Sequence, residues 1–158
     1  MRELPHTTSC FVCGERNPLG LNLRFQTDGK VVSTTFTPTT AHIGFRGVTH
    51  GGILATVLDE IMVWACAVST RRFSFCAELT TRFHQPAQPD APLTVTSELL
   101  ENRRNRVFEA KAEIRDAEGQ LIAEATGKYR PLMNTMTPGM LQDVVGDISW
   151  IEGIEPNA

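Results

Sequence analysis

The chain has 158 residues, of which 41% are hydrophobic and 21% charged, and this size and composition indicate one globular domain. A net charge of −3 provides no broad basic surface, which argues against a nucleic-acid-binding protein. The N-terminal sequence MRELPHTTSC has neither an apolar core nor a cleavage-site pattern, so we expect no signal peptide and a cytoplasmic location.

A Cys-x-x-Cys-Gly pattern lies near the start of the chain, at Cys10, Cys13 and Gly14. It can be half of a zinc site, but a four-ligand site needs two further ligands and no second Cys-x-x-Cys follows. His6 is near enough to be a third ligand, and a partner subunit could supply the fourth. Alternatively, the cysteines are reduced thiols buried in a turn. We expect no metal in the functional site and treat residues 1–18 as an N-terminal extension.

Two strands and a turn are predicted next. Apolar and polar side chains alternate over residues 21–25 and 32–36, and Asp28-Gly29 between them is a hairpin turn signal. The loop at residues 38–48 then leads into the longest apolar stretch of the chain, and its position makes it a candidate wall of a ligand site.

Residues 48–68 read as one buried helix. After His-Gly-Gly at residues 50–52, apolar side chains at helical spacing leave almost no polar face, and Asp59 and Glu60 are the only charged residues of the stretch. A helix that is apolar nearly all round is buried. Its length just reaches that of a membrane span, but the carboxylate pair in mid-helix and the strands on both sides argue against a membrane.

Four strands in hairpin succession are predicted after the helix. Alternation places them at residues 73–84, 93–100, 108–115 and 121–129. The first of these should be half buried, with Phe75, Leu79 and Phe83 on its apolar side. The order of elements predicts an α+β fold: an antiparallel sheet of about six strands around one long central helix, spanning residues 19–131. The tail, residues 132–158, should contain a loop and one short helix or strand that packs on a neighbour.

The helix start is suited to stabilising a negative oxygen. Gly51 and Gly52 have no Cβ, so a ligand can approach the backbone closely. The first N–H groups of a helix have no internal partner, and the helix dipole adds positive charge there. We therefore expect the N–H groups of Gly52 and Ile53 to be oxyanion donors, with His50 positioning a carbonyl or capping the helix. Alternatively, His50 only starts the helix and the glycines serve packing.

Asp59 is the candidate catalytic carboxylate. It lies about two turns beyond Gly52, so it cannot reach its own helix start, but the helix start of a neighbouring subunit could lie opposite it. There it would act as a general base for water or as a nucleophile toward an acyl carbon. Glu60 is turned about 100° round the helix, so one carboxylate can be catalytic while the other pairs with an arginine. Alternatively, both form a buried ion pair with an arginine such as Arg82.

These residues resemble the hotdog-fold acyl-CoA thioesterases, and within them the phenylacetate-pathway (PaaI-type) branch. The resemblance implies sites between the subunits of a dimer or dimer of dimers, and hydrolysis of an acyl thioester without a metal or organic cofactor, with CoA as part of the substrate. The matching stretches are GVTHGG at 47–52, LDE at 58–60, TRFHQPA at 81–87 and the final hairpin from 119 to 127, and the opening CFVCG with NP and GL resembles a further group of members.

The resemblance also implies roles for single residues. Asp59 would be the base or nucleophile, the Gly52 N–H the oxyanion donor, and His50 would help to hold the carbonyl. Family members often carry a Ser or Thr on the strand after the helix that orients water. That position is Cys76 here, and Thr80 is a substitute hydroxyl.

The CoA end of such a substrate needs cationic partners for its phosphates. Arg103, Arg104 and Arg106 share one turn and are the first candidates, although they can equally form a merely solvated turn. Arg71 and Arg72 are the second choice. The sequence therefore predicts an acyl-CoA thioesterase. The alternative is a non-catalytic acyl-CoA- or lipid-binding protein with the same fold, which the missing hydroxyl at Cys76 favours.

Overall fold

The structure is a computed structural model, and it describes residues 1–133 and 137–152. Its central element is the helix α1 (Gly51–Thr70), which lies on one face of an antiparallel sheet. A 3-10 turn at Thr40–His42 precedes it, and a short helix, α2 (Thr137–Met140), follows the last long strand. The strands are β1 (Arg2–Glu3), β2 (His6–Thr7), β3 (Gln26–Thr27), β4 (Val31–Phe36), β5 (Ile43–Phe45), β6 (Val48–Thr49), β7 (Ser74–Phe83), β8 (Leu93–Arg103), β9 (Val107–Arg115), β10 (Leu121–Pro131) and β11 (Val144–Val145).

The main sheet has seven strands in the order β1-β3-β4-β8-β9-β10-β7. The predicted layout of one long helix on an antiparallel sheet is confirmed, and β4 and the four strands after α1 lie where alternation placed them. The sheet exceeds the expected size because β1, from the N-terminal extension, pairs with β3 at its edge. Two further pairs, β2 with β11 and β5 with β6, lie outside this sheet.

The prediction of a strand at residues 21–25 is wrong, because regular sheet pairing in this region is confined to Gln26–Thr27. The preceding segment pairs with the Cys-x-x-Cys turn instead, where the Leu23 N–H donates to the Val12 carbonyl at 2.9 Å. Leu23 and Phe25 are buried there. The alternation at 21–25 therefore reflects burial against the N-terminal extension and not a place in the sheet.

The helix α1 is a core helix. By length and composition it could cross a membrane, but half of its apolar window is buried inside the protein, against the sheet. His50 is its N-cap, and the chain leaves the helix at Arg71, whose φ of 59° is left-handed and whose N–H bonds the Ala67 carbonyl. The buried side chains of α1 are Leu54, Val57, Leu58, Ile61, Met62, Trp64, Ala65, Cys66 and Ala67.

Strand β7 contains a bulge at Ala77. Lys128 of β10 lies opposite Glu78, while the next residue, Tyr129, lies opposite Cys76, so that Ala77 is skipped. An extra residue in one strand reverses the alternation of side chains beyond it. Cys76 therefore shares the helix-facing side of the sheet with Tyr129.

The prediction that Phe75, Leu79 and Phe83 share one buried side is therefore wrong. Phe75 lies before the bulge, opposite exposed Arg130, and faces outward, whereas Leu79 and Phe83 lie beyond the bulge and face the helix side. All three are partly exposed, Leu79 at 37% and Phe83 at 50%, because β7 is the edge strand of the sheet among the described residues. An apolar edge of this kind is typical of a surface that another chain covers.

The described part of the tail packs on the rest of its own chain. Strand β11 pairs with β2, and Ile151 is buried in the core. The Arg71 guanidinium donates from Nε to the Trp150 carbonyl at 2.9 Å, which ties the tail to the end of α1. The other positions of the predicted tail, 134–136 and 153–158, lie outside the described residues.

Candidate active site

Asp59 is held by a tyrosine on the sheet. The Tyr129 hydroxyl donates to Asp59 Oδ1 at 2.9 Å and lies 3.3 Å from the Asp59 carbonyl oxygen. Burial first, and then the charge of Asp59, raise the pKa of Tyr129 far above its usual value, so the hydroxyl keeps its proton and stays a donor. Tyr129 is fully buried, so its position is fixed by packing. The Asp59 carboxylate is therefore held in one orientation.

A glycine makes this contact possible. A Cβ at Gly127 would lie 2.6 Å from Cε2 and 2.8 Å from the hydroxyl oxygen of Tyr129. The ring therefore extends across the space that a side chain at Gly127 would fill. Tyr129 was missed in the sequence, although the chain's single tyrosine two residues after a glycine in a buried strand was a signal that could have found it.

Cys76 lies beside Asp59, on the same side of the sheet as Tyr129. Burial, and then the negative charge and hydrogen bond of Asp59, raise the pKa of the Cys76 thiol to about 11. It is therefore a neutral thiol near pH 7 and a weak hydrogen-bond donor, not a nucleophile. The predicted substitute, Thr80, is not brought to Asp59, because it pairs with Thr126 on the outer face of the sheet.

The helix start is capped by its own histidine. Gly52 donates its N–H to His50 Nδ1 at 2.9 Å, and the Ile53 N–H bonds the His50 carbonyl at 3.0 Å. Both N–H groups predicted as oxyanion donors thus have partners within the helix start. Because Nδ1 accepts a hydrogen bond, the neutral imidazole carries its proton on Nε2. His50 is exposed, so this Nε2–H is a donor available to a ligand.

A pocket of about 430 Å³ opens at the helix start. His50, Gly51 and Phe83 are among the residues that line it, and a Cβ at Gly51 would lie 3.2 Å from the Phe83 ring. Phe45, which is 82% exposed, lies at its rim. The described residues that line this pocket do not include Asp59, which is about 12 Å further along α1. A single chain therefore keeps its carboxylate and its helix-start pocket apart.

Glu60 faces a different environment, as its angle on the helix predicted. Its Oε1 lies 3.9 Å from the Cys10 sulfur, at the Cys-x-x-Cys turn. Burial, and then the charge of Cys10, raise the pKa of Glu60 to about 7. The alternative of a buried ion pair with Arg82 does not hold, because Arg82 lies on the outer face of the sheet opposite Glu124.

The arginine turn lies at the end of the sheet near Asp59. Asn102 of β8, Phe108 of β9 and Tyr129 of β10 lie side by side across the sheet. The arginine turn, which joins β8 to β9, begins with the next residue, so it lies close to Tyr129. Arg103 is ion-paired with Glu109 at 2.9 Å, while Arg104 and Arg106 are exposed. The turn is thus remote from the helix start of its own chain.

A second cavity, of about 490 Å³, lies on the outer face of the sheet. Charged side chains such as Glu98 and Lys111 line it, and these two pair with each other at 2.8 Å. Of the predicted site residues, it contains only Thr80. It is larger than the pocket at the helix start, but it has neither the carboxylate nor the helix start, so we place the candidate site on the helix side of the sheet.

Comparison with known structures shows which proteins resemble this fold. A crystal structure described as a thioesterase superfamily protein is 31% identical, with a TM-score of 0.70 over 76% of this chain and 62% of that one. The chain therefore spans about 62% of the length of that relative. No curated protein matches the chain in sequence.

Two further structures share the fold at lower identity. The PaaI protein from the phenylacetic acid degradation operon of E. coli is 20% identical, with a TM-score of 0.65 over 72% of this chain and 81% of that one. A hypothetical thioesterase from Streptococcus pneumoniae TIGR4, determined with coenzyme A, is 20% identical, with a TM-score of 0.63 over 70% and 86%. These likenesses show the fold, so the PaaI-type branch stays a prediction.

A match in sequence indicates the same family. Residues 46–123, from the loop before α1 to the start of β10, match the sequence model of the thioesterase superfamily. This region includes the helix start, Asp59 and the bulged strand β7. With the matching relative and the helix-on-sheet architecture, this shows that the chain belongs to the thioesterase superfamily and has its hotdog fold.

Proposed function

We propose that the protein hydrolyses an acyl-CoA thioester to a free acid and CoA. The observation that carries the proposal is the Asp59 carboxylate, which Tyr129 orients on a core helix beside an apolar edge strand. A carboxylate in such surroundings is costly unless it is paired or functional. Membership of the thioesterase superfamily supports the reaction class, and the bound coenzyme A of the streptococcal relative supports the leaving group.

In the proposed reaction, Asp59 acts as the general base. It takes a proton from water, and the hydroxide attacks the thioester carbonyl carbon to form a tetrahedral oxyanion. Collapse breaks the carbon–sulfur bond, and the CoA sulfur leaves as a thiolate that then takes up a proton. Direct attack by the carboxylate, through an acyl-enzyme anhydride, is the alternative route.

The oxyanion would be stabilised by the helix start of a second subunit. The outward Nε2–H of His50 is one donor, and the Gly52 N–H is a second when the carbonyl oxygen replaces His50 Nδ1 as its acceptor. The positive end of the α1 dipole would favour the same charge. The separation of about 12 Å between Asp59 and its own helix start is the reason for taking the two halves from different chains.

In this reaction the CoA phosphates would bind at the arginine turn. Arg104 and Arg106 are exposed, whereas Arg103 is already paired with Glu109. The turn is at the Asp59 end of the sheet, where the helix start of a second subunit would bring the substrate. We propose that Arg104 and Arg106 supply the cationic contacts and that Arg103 shapes the turn.

The test is release of free thiol from short, long and aromatic acyl-CoAs, with wild type compared with Asp59→Asn. We expect turnover on at least one substrate, and a fall in kcat of about 100-fold or more in the variant. Asp90→Asn is the matched control, since Asp90 is exposed and Asn tolerates its left-handed φ of 62°. Thermal unfolding of each variant checks the fold. Full activity in Asp59→Asn would refute the mechanism.

A second function, binding of acyl-CoA without turnover, has one observation in its favour. Cys76 stands where the resemblance to the family leads us to expect a Ser or Thr, and its thiol, with a pKa of about 11, is a poor partner for water. Equilibrium binding of a non-hydrolysable thioether analogue, combined with no thiol release from any cleavable acyl-CoA, would establish this function instead.

A further inference from the structure

The Cys-x-x-Cys turn is folded around its two sulfur atoms. The Val12 N–H donates to the Cys10 sulfur at 3.2 Å, and the Gly14 N–H closes the turn on the Cys10 carbonyl at 2.9 Å. A Cβ at Gly14 would lie 2.2 Å from that carbonyl oxygen, so only glycine allows the chain to fold back so tightly. The turn thereby brings the Cys13 sulfur close to that of Cys10.

The third member of the cluster comes from the central helix. A carboxylate oxygen of Glu60 and the sulfur atoms of Cys10 and Cys13 all lie within 4.8 Å of one another. Glu60 and Cys10 are partly buried, and Cys13 is 1% exposed. Two thiols and a carboxylate at this depth, 50 residues apart in sequence, form a ligand set of mixed soft and hard donors.

The distances suit a tetrahedral ion. With Zn–S bonds of about 2.3 Å and Zn–O bonds of about 2.0–2.2 Å, tetrahedral ligands are separated by about 3.6–3.8 Å. The Cys10 sulfur and Glu60 Oε1 are 3.9 Å apart, so a small closure would seat the ion. N–H donation to a cysteine sulfur also stabilises the thiolate form, which is the form that binds metal.

We propose that Cys10, Cys13 and Glu60 bind one Zn²⁺ ion per chain. Water completes the coordination, and the Thr7 hydroxyl lies close by, 3.8 Å from the Cys13 sulfur. His6, the third ligand that sequence spacing suggested, instead pairs with Glu15 at 3.2 Å. The ion would tie the N-terminal extension to α1 at the residue next to Asp59, and so hold the helix turn that carries the candidate base.

The test is the zinc content of the full chain, purified without a polyhistidine tag and without chelators. We expect about one zinc per chain in wild type, by elemental mass spectrometry, and at least about tenfold less in Cys13→Ser and in Glu60→Gln after dialysis. His6→Asn and Cys66→Ala are matched controls, a non-ligand histidine and a buried thiol of the same helix, and both should keep the ion.

A measurement on wild type alone covers the case in which the variants do not fold. Chelator-treated protein is refilled with Zn²⁺, and alkylation of each cysteine is followed by peptide mass spectrometry. Zinc should protect Cys10 and Cys13 together and leave the modification of Cys76 unchanged.

Three results would overturn the proposal: wild type that purifies with far less than one zinc, zinc that either ligand variant retains, or a Cys10–Cys13 disulfide whose formation Zn²⁺ does not prevent. Because none of these readouts involves thioester cleavage, they are independent of the proposed enzymatic function.

Discussion

At the scale of single residues, Tyr129 controls the geometry of the candidate base. Its hydroxyl donates a hydrogen bond to Asp59 Oδ1 at 2.9 Å. The bond depends on Gly127, whose missing side chain leaves room for the ring. A general base works only when it is held within hydrogen-bond reach of the proton that it takes. Tyr129 is therefore a positioning residue for Asp59.

The Tyr129→Phe variant removes only this hydroxyl. We expect kcat to fall about 10- to 100-fold with a much smaller change in KM, because a misplaced base weakens the chemical step more than binding. The free energy of unfolding should fall by about 1 kcal/mol, the net value of one hydrogen bond. Steady-state kinetics and denaturant unfolding measure the two effects. If kcat stays at the wild-type value while stability falls, Tyr129 is only structural.

The residues that could be found in the sequence are those that break a pattern. Asp59, Glu60 and the His-Gly-Gly start stand out because the helix around them is otherwise apolar. Tyr129 did not stand out, because an aromatic residue on the buried side of a strand is what a core requires. Its contact with Asp59 depends on which turn of α1 the strand β10 crosses, and local alternation contains no such information.

At the scale of elements, β7 shows why alternation predicts strands better than their faces. The strand was predicted at residues 73–84 and is observed at Ser74–Phe83. The bulge at Ala77 reverses the faces beyond it, which puts Leu79 and Phe83 on the helix side. A bulge depends on the register with β10, so the sequence of β7 alone cannot reveal it. The result is an apolar edge next to Cys76 and Asp59.

This edge is where we expect a second subunit, which Leu79→Lys tests. A charge on the apolar side of an edge strand opposes strand pairing with another chain. We expect the variant to shift from dimer to monomer in analytical ultracentrifugation and to lose thioesterase activity in parallel, since the proposed site needs both subunits. Thr80→Lys is the matched control on the outer face of the same strand and should stay dimeric. A monomeric wild type would contradict the proposed shared site.

At the scale of the whole molecule, the proposed site is divided between two chains related by a two-fold axis. In such a dimer, each site takes Asp59 from one subunit and His50 from the other. The fold explains the division, because the rise along α1 keeps the helix start about 12 Å from Asp59. A two-fold axis beside the edge strand β7 would place the two helices so that each start faces the Asp59 of the other chain.

The shared site predicts that two inactive variants restore each other. Asp59→Asn and His50→Ala are each expected to have little activity as homodimers. Mixed after reversible dissociation, about half of the dimers are heterodimers, and each of these has one site with both residues intact and one with neither. The mixture should therefore regain about one quarter of wild-type thiol release, once its oligomeric state is checked by native mass spectrometry. A site contained within one chain would give no recovery, because every Asp59 would remain with a defective partner in its own subunit.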